Sequence, residues 1–402
     1  MQVTVGAGRA HGTVQAPPSK SMAHRLLISA ALAEGESRIK GVSACEDVAA
    51  TLDCLRALGA HCEQQGDEAL IRGIDPRRTT PDTHLYCRES GSTLRFLLPI
   101  AWLSQKPMTL TGAPYLLTRP MDVYAEIAKE KQLFFEQNEK GIHIQGPMTS
   151  GEYTVAGNVS SQFISGLLFA LPLLDGDSLI RILPPVESRS YLDLTVSALA
   201  EFGVIAEWED ACTLHIPGGQ HYRAHDTEVE GDYSGAAFPE ALNLLGGQVR
   251  VTGLNEKSLQ GDRVYKTYFP MLKRERCELS IEDCPDLGPI LFAVAAANHG
   301  ATFHGTRRLR LKESDRAAAM AKELSKMGVQ VRIDENSVTV EPATLHAPKE
   351  PICSHNDHRI VMSMAVLLTL TGGRIEGAEA VSKSFPDFFD RLSALGIHVE
   401  RT

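Results

Sequence analysis

The sequence predicts an α/β protein of two domains, each made of three copies of a strand–helix–strand–helix–strand repeat. Three observations support this prediction. Apolar helical segments with small polar starts recur six times along the chain, and amphipathic helical segments alternate with them. Short strand-like runs, among them SLIRIL, QVRVTG and SVTVEP, fill the gaps. A chain of 402 residues is also long enough for two domains of ordinary size.

The first series of helical segments has the pattern of buried helices. Its members begin with PSKSMAHR near Pro18, ESGSTLRF near Glu89, NVSSQF near Asn158, GDYSGAAF near Gly231, CPDLGPILF near Cys284 and NDHRIVM near Asn356. Each continues as a run that is apolar nearly all round, which is typical of a helix without an exposed face. The Ser, Asp and Asn residues at these starts are favourable caps for unpaired backbone amides.

The second series has the pattern of surface helices with one apolar face. Its members are DVAATLDCLRALGAHC, MDVYAEIAKEKQLFF, YLDLTVSALAEFGVIAEW, RVYKTYFPMLKRERCELS, SDRAAAMAKELSKMGVQVRI and FPDFFDRLSALGIHVE. Most of them end in glycine before a strand-like run, which indicates a helix C-terminus.

The spacing of the copies predicts the domain division. The interval is roughly 70 residues and shortens to about 50 between the fourth and fifth copies, longer than common solenoid periods. Six such copies form two domains of three more naturally than one continuous array. The third copy ends near YRAHDTEVEGDYSG. We therefore expect one domain at residues 18–229 and a second that combines 1–17 with 230–402, because chain termini often lie close together.

The starts of the buried helices predict an anion site. If three such helices run side by side in each domain, two facing sets would place six helix N-termini around one cleft, an arrangement that favours negative charge. A cation at a helix N-terminus is destabilising unless an anion lies opposite. Cations nevertheless lie at or near the starts of both series: Lys20, Arg25, Arg95, Arg119, Lys312, Arg316, Arg359 and Lys383. One such arginine is usually a solvated charge, but their recurrence favours a ligand with more than one anionic group.

Uncharged polar residues accompany these cations. They are Ser21, Ser160, Ser161, Gln162 and Ser188. Their side chains are suited to orienting the hydroxyl groups of a small polyol. Helix capping alone explains each serine equally well, so both interpretations stay open.

Two carboxylates lie among the cations. Asp286 precedes the fifth buried helix, and Glu313 lies between Lys312 and Arg316. An Asp near a helix start is often only a cap. A carboxylate in a cleft that binds anions needs another reason, and proton transfer is the obvious one.

Composition excludes several other classes of protein. Fifty acidic against 40 basic residues give a net charge of −10, which argues against a nucleic-acid partner. Eight scattered cysteines lack metal-ligand spacing and indicate reduced thiols in the cytoplasm. The N-terminal stretch MQVTVGAGRAHGTV lacks the pattern of a signal peptide, and no apolar run is long enough for a membrane span. The phosphate-loop spacing of nucleotide-binding proteins is also missing.

Ten stretches in order carry a resemblance to a known family. They are PSKSMAHR, SGSTLRFLLP, LTRPMD, SSQFISGLL, ESRSYLDLT, EGDYSGAAF, DCPDLGP, LKESDR, NDHRIVM and SKSFPDFF. Over nearly its full length the chain resembles the 3-phosphoshikimate 1-carboxyvinyltransferases, also called 5-enolpyruvylshikimate-3-phosphate (EPSP) synthases. The resemblance implies a two-domain inside-out α/β barrel, the enolpyruvyl transferase fold, with three βαβαββ units per domain and helix N-termini facing the cleft.

The resemblance also implies an activity. Family members transfer the enolpyruvyl group of phosphoenolpyruvate to the 5-hydroxyl of shikimate 3-phosphate, in the shikimate pathway, and release phosphate through a tetrahedral intermediate. The expected partners are these two small molecules, with no nucleic acid and no membrane. We expect no metal and no organic cofactor, and a cytoplasmic monomer.

Position by position, the resemblance implies three groups of residues. Asp286 takes the proton from the 5-hydroxyl, and Glu313, with Lys20, is the candidate to protonate the methylene carbon. The group for shikimate 3-phosphate comprises Lys20, Ser21, Arg25, Ser160, Ser161, Gln162, Ser188, Asp286 and Lys312. The group for phosphoenolpyruvate comprises Lys20, Gly91, Arg119, Gln162, Arg316, Arg359 and Lys383.

Some positions depart from the family pattern. Glu89 and Ser90 stand where most members have Asn and a small residue, Ser92 replaces the common Thr, and Arg308 stands where many members have Asn. We expect Glu89 to turn away from the site or to pair with Arg88 or another arginine.

Two alternatives remain open. The sister family that acts on UDP-N-acetylglucosamine has KN where this chain has Lys20 and Ser21, and usually a reactive cysteine in the loop that here reads GAPYLLTRP. A non-catalytic, anion-binding relative would lack the acid–base pair Asp286 and Glu313, which this chain retains.

Overall fold

The structure is a computed structural model that describes residues 1–78 and 84–402. It divides into two compact units. The first unit is Lys20–Glu230, and the second unit combines Met1–Ser19 with Gly231–Thr402. Each unit has a hydrophobic core of its own.

Helices and strands alternate along the chain. The α-helices are α1 (Lys20–Leu32), α2 (Glu46–Ala57), α3 (Gly91–Ala101), α4 (Pro114–Leu117), α5 (Asp122–Lys131), α6 (Ser161–Ala170), α7 (Arg189–Glu201), α8 (Tyr233–Ala241), α9 (Tyr265–Arg274), α10 (Gly288–Ala297), α11 (Arg316–Ser325), α12 (His358–Leu368) and α13 (Phe388–Ala394). The strands up to the start of α7 are β1 (Gln2–Val5), β2 (His11–Gln15), β3 (Ala33–Glu34), β4 (Glu36–Lys40), β5 (His61–Gln65), β6 (Glu68–Arg72), β7 (His84–Tyr86), β8 (Met108–Thr111), β9 (Phe134–Asn138), β10 (Gly141–Gln145), β11 (Gly151–Ala156) and β12 (Ser178–Leu183). The remaining strands are β13 (Glu207–Trp208), β14 (Thr213–Ile216), β15 (Tyr222–Arg223), β16 (Thr227–Glu228), β17 (Gln248–Thr252), β18 (Cys277–Ser280), β19 (Ala301–His304), β20 (Val331–Ile333), β21 (Ser337–Val340), β22 (Ile352–Cys353), β23 (Gly373–Glu376) and β24 (Val399–Arg401).

One four-stranded sheet pattern recurs in both units. In the sheet β11-β12-β14-β13, strands β11 and β12 are parallel and are connected by the buried helix α6. Strand β14 pairs antiparallel with β12, and β13 pairs antiparallel with β14. The same order occurs in β16-β4-β6-β5 and β7-β8-β10-β9 of the first unit, and in β18-β19-β21-β20 and β22-β23-β1-β24 of the second. A parallel pair needs a crossover connection, and a buried helix supplies it in four of these sheets. In the sheet β16-β4-β6-β5, strand β16 instead comes from later in the chain to pair with β4. The predicted βαβαββ unit is therefore present.

The sheet β22-β23-β1-β24 includes the N-terminal strand of the chain. Strand β1 lies antiparallel between β23 and β24, in the position that β21 occupies in the sheet β18-β19-β21-β20. The first residues of the chain thus belong to the second unit.

The fourth copy differs from the predicted repeat. Its sheet, within the described residues, consists only of the parallel pair β2 and β17. Helix α9 ends at Arg274, and β18 of the next copy begins at Cys277. The shorter interval between the fourth and fifth copies leaves no chain for the last two strands.

The two helix series differ in burial as the sequence predicted. All eleven residues of α12 and nine of the ten of α10 are buried, against four of ten in the amphipathic helix α5. In the first unit, α1, α3 and α6 meet around Phe96, which lies 5.6 Å from the ring of Phe169. The guanidinium of Arg25 lies over the ring of Phe96, 5.1 Å from its centroid. Each buried helix is thus held by the other buried helices of its unit.

Two further expectations concern the thiols and the membrane. The eight cysteines are free, and only Cys353 is exposed. Across residues 1–78 and 84–402, every helix is too short or too polar to cross a membrane.

Candidate active site

Three helix starts of the second unit meet at Arg359. This residue is the second of α12 and is buried. Its guanidinium donates from Nη1 to Ser234 Oγ at the start of α8, at 2.6 Å. It donates from Nη2 to Asp286 Oδ2, in the 3₁₀ turn that leads into α10, at 3.1 Å. Within this unit the buried helices therefore begin side by side, as the sequence analysis assumed.

Asp286 lies at the centre of three cations. Its Oδ1 is 3.1 Å from Lys312 Nζ and 2.8 Å from Arg316 Nη1, and its Oδ2 is 3.1 Å from Arg359 Nη2. Burial alone would raise the pKa of this carboxyl, but the charges of Arg359, Lys312 and Arg316 outweigh it and hold the pKa well below 3.8. Asp286 is therefore a carboxylate at neutral pH.

The surroundings of Lys312 disfavour its charged form, whereas those of Asp286 favour the charged carboxylate. Burial lowers its pKa, Asp286 opposes that shift, and the neighbouring Arg316 adds to it. Nearby negative charge thus favours the protonated ammonium group.

Arg316 is bound by three carboxylates. Its side chain is only 1% exposed, and it donates to Asp286, to Glu313 Oε2 at 2.6 Å and to Asp357 Oδ2 at 2.9 Å. The pKa of Arg316 is raised because the attraction of these carboxylates exceeds the cost of burial. Asp357 also caps α12, since its Oδ1 accepts from the backbone N–H of Arg359 at 2.9 Å.

Lys383 reaches the same region through the backbone. It ends a 3₁₀ segment, Ala378–Lys383, and its Nζ donates to the carbonyl of Asn356 at 2.7 Å. Asn356 immediately precedes Asp357. The structure therefore brings together all the site residues predicted in the second unit: Asp286, Lys312, Glu313, Arg316, Arg359 and Lys383.

In the first unit, Lys20 pairs with a carboxylate that the sequence analysis missed. Lys20 is the first residue of α1, and its Nζ lies 2.7 Å from Asp47 Oδ2, with both side chains largely buried. Behind this pair a chain of buried hydroxyls runs from His24 through Thr51 to Thr93, with contacts of 2.7 Å at each step. The only sequence signal for Asp47 was its place in the first turn of an amphipathic helix.

Arg25 has neutral partners. Its Nε donates to Thr195 Oγ1 at 2.8 Å, Nη1 to the carbonyl of Ser21 at 2.7 Å and Nη2 to the carbonyl of Tyr191 at 2.9 Å. Burial lowers its pKa to about 10. Three of its five N–H groups are used in this way, which fixes the guanidinium between α1 and α7.

Two guanidinium groups lie against Gly91, the first residue of α3. A Cβ at this position would lie 2.5 Å from Nη1 of Arg119 and 3.2 Å from Nη1 of Arg95. Arg95 donates to Gln162 Oε1 at 2.7 Å, and Gln162 Nε2 donates to Ser92 Oγ at 2.9 Å. These bonds link the starts of α3 and α6 beside two cations, and a side chain at position 91 would displace the Arg119 guanidinium from its present place.

The predicted serines differ in their local roles. Ser160 caps α6 by accepting from the N–H of Gln162 at 3.3 Å, and Ser161 is buried in the first turn. Ser188 precedes α7 with a φ of 57°, is buried and does not cap that helix with its side chain. Capping therefore accounts for Ser160, whereas Ser188 occupies a backbone conformation that is uncommon for serine.

The departures from the family pattern also have defined environments. Glu89 is exposed. Arg88 pairs with Glu46 and, at 2.6 Å, with Asp53. Arg308 is buried and donates to the carbonyl of Glu282.

Comparisons with known proteins identify the class. The structure of EPSP synthase from Acinetobacter baumannii superimposes with a TM-score of 0.79 over the whole of both chains, at 24% identity. The fold is therefore the two-domain enolpyruvyl transferase fold. Among the described residues, no cluster of His, Cys, Asp and Glu side chains has the arrangement of a metal site.

Sequence comparisons identify the family. The family model for EPSP synthase (3-phosphoshikimate 1-carboxyvinyltransferase) matches residues 5–275 and 268–392. A 3-phosphoshikimate 1-carboxyvinyltransferase of Clostridium kluyveri is 37% identical over 419 aligned positions, which cover 99% of this chain and 98% of the relative. Its counterpart in Clostridium novyi is 38% identical over 415 positions, which cover 96% and 95%. The chain belongs to the EPSP synthase family.

Proposed function

We propose that the protein transfers the enolpyruvyl group of phosphoenolpyruvate to the 5-hydroxyl of shikimate 3-phosphate, which yields EPSP and phosphate. The reaction belongs to the shikimate pathway, which leads to chorismate and the aromatic amino acids. Family membership over the whole chain supports the reaction class. The observation that carries the proposal is the buried cluster of Asp286 with Lys312, Arg316 and Arg359, because it joins a carboxylate to cations suited to anionic substrates.

The proposed site uses residues of both units. We assign shikimate 3-phosphate to Lys20, Ser21, Arg25, Ser160, Ser161, Gln162, Ser188, Asp286 and Lys312. We assign phosphoenolpyruvate to Lys20, Gly91, Arg119, Gln162, Arg316, Arg359 and Lys383.

Asp286 and Glu313 carry the proton transfers in this proposal. Asp286 accepts the proton of the 5-hydroxyl as its oxygen attacks C2 of phosphoenolpyruvate, while Glu313, with Lys20, delivers a proton to the methylene carbon. The tetrahedral intermediate then loses one of its three methyl protons, to the carboxylate that Glu313 has become, as C2 releases phosphate, and the enol ether remains. Lysine and arginine side chains stabilise the charge that moves onto the departing phosphate.

The low pKa of Asp286 fits this role only when substrates are bound. Three cations make the carboxylate a weak base as long as they face it alone. Substrate anions that bind the same cations reduce their hold on Asp286, which raises its pKa towards that of a useful base. Binding therefore prepares the base for the reaction.

The proposed enzyme is a cytoplasmic monomer that acts without a metal or organic cofactor. A phosphate-release assay tests the proposed reaction. Phosphoenolpyruvate with shikimate 3-phosphate should release phosphate, whereas phosphoenolpyruvate with UDP-N-acetylglucosamine should not. The reverse pattern would assign the protein to the sister reaction, and silence with both acceptors would assign it to a non-catalytic relative.

A further inference from the structure

Helix α11 carries a buried carboxylate, that of Glu323, which the proposed mechanism does not use. Glu323 lies seven residues after Arg316, so both side chains project from the same face of the helix, two turns apart. The side chain of Glu323 is 0% exposed. A buried charge of this kind is tolerated only when it is paired and hydrogen-bonded.

The partners of Glu323 come from the segment 351–355 and from Lys326, directly after α11. Its Oε1 accepts from Nε2 of His355 at 2.8 Å, and its Oε2 accepts from the backbone N–H of Cys353 at 2.9 Å. Lys326 Nζ lies 2.6 Å from Oε2 and also donates to the carbonyl of Pro351 at 2.8 Å. One carboxylate thus fixes the segment 351–355 at three points.

That segment has an uncommon backbone. His355 and Asn356 are consecutive non-glycine residues with φ values of 50° and 54°. The left-handed region is sparsely populated by such residues, and it persists only where the surroundings hold it. Ser354 contributes by accepting from the N–H groups of Asn356, at 3.2 Å, and Asp357, at 2.9 Å. Glu323 adds a bond to the turn from helix α11, through the His355 side chain.

The same turn sets the positions of the cations assigned to phosphoenolpyruvate. The carbonyl of Asn356 accepts from Lys383, at 2.7 Å. The carboxylate of Asp357 accepts from Arg316 Nε and from the N–H of Arg359, both at 2.9 Å. A change in the backbone at 355–356 would therefore move all three contacts together.

We propose that Glu323 and His355 are positioning residues for the phosphoenolpyruvate subsite. Their carboxylate–imidazole bond holds the turn at 355–356, and the turn holds Lys383, Arg316 and Arg359 at the spacing that the substrate requires. Both residues act through the turn rather than by contact with substrate. The inference rests on the proposed function, because it assigns the positioned cations to one of the two proposed substrates.

A pair of variants at position 355 tests the inference. The side chain of His355 is 23% exposed, so the fold tolerates its replacement better than that of Glu323. His355→Leu removes the donor, whereas His355→Gln keeps an N–H at similar reach. We expect His355→Leu to raise KM for phosphoenolpyruvate about tenfold and KM for shikimate 3-phosphate less than about twofold, as one lost buried charge-assisted bond predicts. His355→Gln should behave as the wild type.

A matched control and a second variant complete the experiment. His304→Leu removes an exposed histidine that bonds Glu278 at 3.2 Å in the same unit, and it should leave both KM values unchanged. Glu323→Gln should give the same selective rise as His355→Leu, and the double variant should be no worse than Glu323→Gln alone. Thermal unfolding of each variant verifies that it is folded.

The outcomes are distinguishable. Equal losses for both substrates, an unchanged KM for phosphoenolpyruvate in His355→Leu, or a defect in His355→Gln as large as in His355→Leu would each overturn the positioning role. A wild type that releases no phosphate would refute the proposed function and this inference together. An active wild type with unaffected variants would refute the inference alone.

Discussion

Replacement of Asp286 by asparagine separates the chemical role of this residue from a structural one. The amide retains the shape of the carboxylate but cannot accept the proton of the attacking hydroxyl. We expect kcat to fall about 10³-fold, within the range found for loss of a general base. Substrate KM values should change less than about threefold, because the substrate anions themselves compensate the cations that Asp286 faces.

The structure also sets the expected cost in stability. Removal of one partner from a buried ion pair typically costs about 3–5 kcal/mol. Asp286 is 20% exposed, and Arg316 keeps Glu313 and Asp357 as partners. We therefore expect a loss of about 2 kcal/mol in the free energy of unfolding. Phosphoenolpyruvate should raise the melting temperature of the variant about as much as that of the wild type, since its binding is nearly unchanged.

The pH dependence of this loss has a definite sign. The folded pKa of Asp286 lies well below 3.8, so its carboxylate contributes stability at pH values above that. The contribution is lost as the pH falls from 3.8 through the lowered pKa. The difference in stability between the wild type and Asp286→Asn should therefore shrink in acid.

The assay combines phosphate release, equilibrium substrate binding and thermal unfolding on the same preparations. The glutamine variant of Glu341, whose exposed carboxylate pairs with Arg276 at 2.6 Å, is a matched control that should change none of them. If Asp286→Asn lost binding and turnover in equal proportion, Asp286 would be a structural cap. Retention of turnover would refute its role as base.

Three further predictions concern the other cations. Lys383→Ala should weaken phosphoenolpyruvate binding at least about tenfold and shikimate 3-phosphate binding far less, as measured by titration of each substrate. An equal loss for both substrates would contradict the assignment of Lys383. In Gly91→Ala, the new methyl group would lie 2.5 Å from Nη1 of Arg119 and should displace this guanidinium. We expect KM for phosphoenolpyruvate to rise about tenfold and the free energy of unfolding to fall by less than about 1 kcal/mol. An unchanged KM would place phosphoenolpyruvate elsewhere. Asp47→Ala should leave the largely buried Lys20 without its carboxylate at 2.7 Å and lower kcat at least about tenfold, while a normal kcat with lowered stability would make the pair merely structural.

The sequence was most informative where a local pattern determines structure. The apolar runs predicted buried helices because a helix such as α12, with every residue buried, has no polar face to show. Small polar starts predicted caps, and Asp357 caps α12. Lys312, Glu313 and Arg316 lie within five residues of one another, so their proximity follows from the chain itself.

Contacts between distant parts of the chain were beyond local patterns. The pair of Lys20 with Asp47 depends on how α1 packs against α2, and nothing near Asp47 distinguishes it from the neighbouring Glu46. The loss of two strands in the fourth copy followed from the shorter interval, but the interval alone did not show which strands were missing. The left-handed turn at His355 has no glycine to reveal it.

The charges of the second-unit cluster explain how one set of residues can both bind anions and transfer protons. Lys312, Arg316 and Arg359 face three carboxylates, those of Asp286, Glu313 and Asp357, which offset their positive charge. In the proposed mechanism, a substrate anion adds negative charge beside Asp286, which then holds a proton more tightly. The same shift would strengthen Asp286 as the proposed base. The proposed mechanism therefore needs carboxylates among the cations, because a site of cations alone would bind both substrates and leave no group to move the proton.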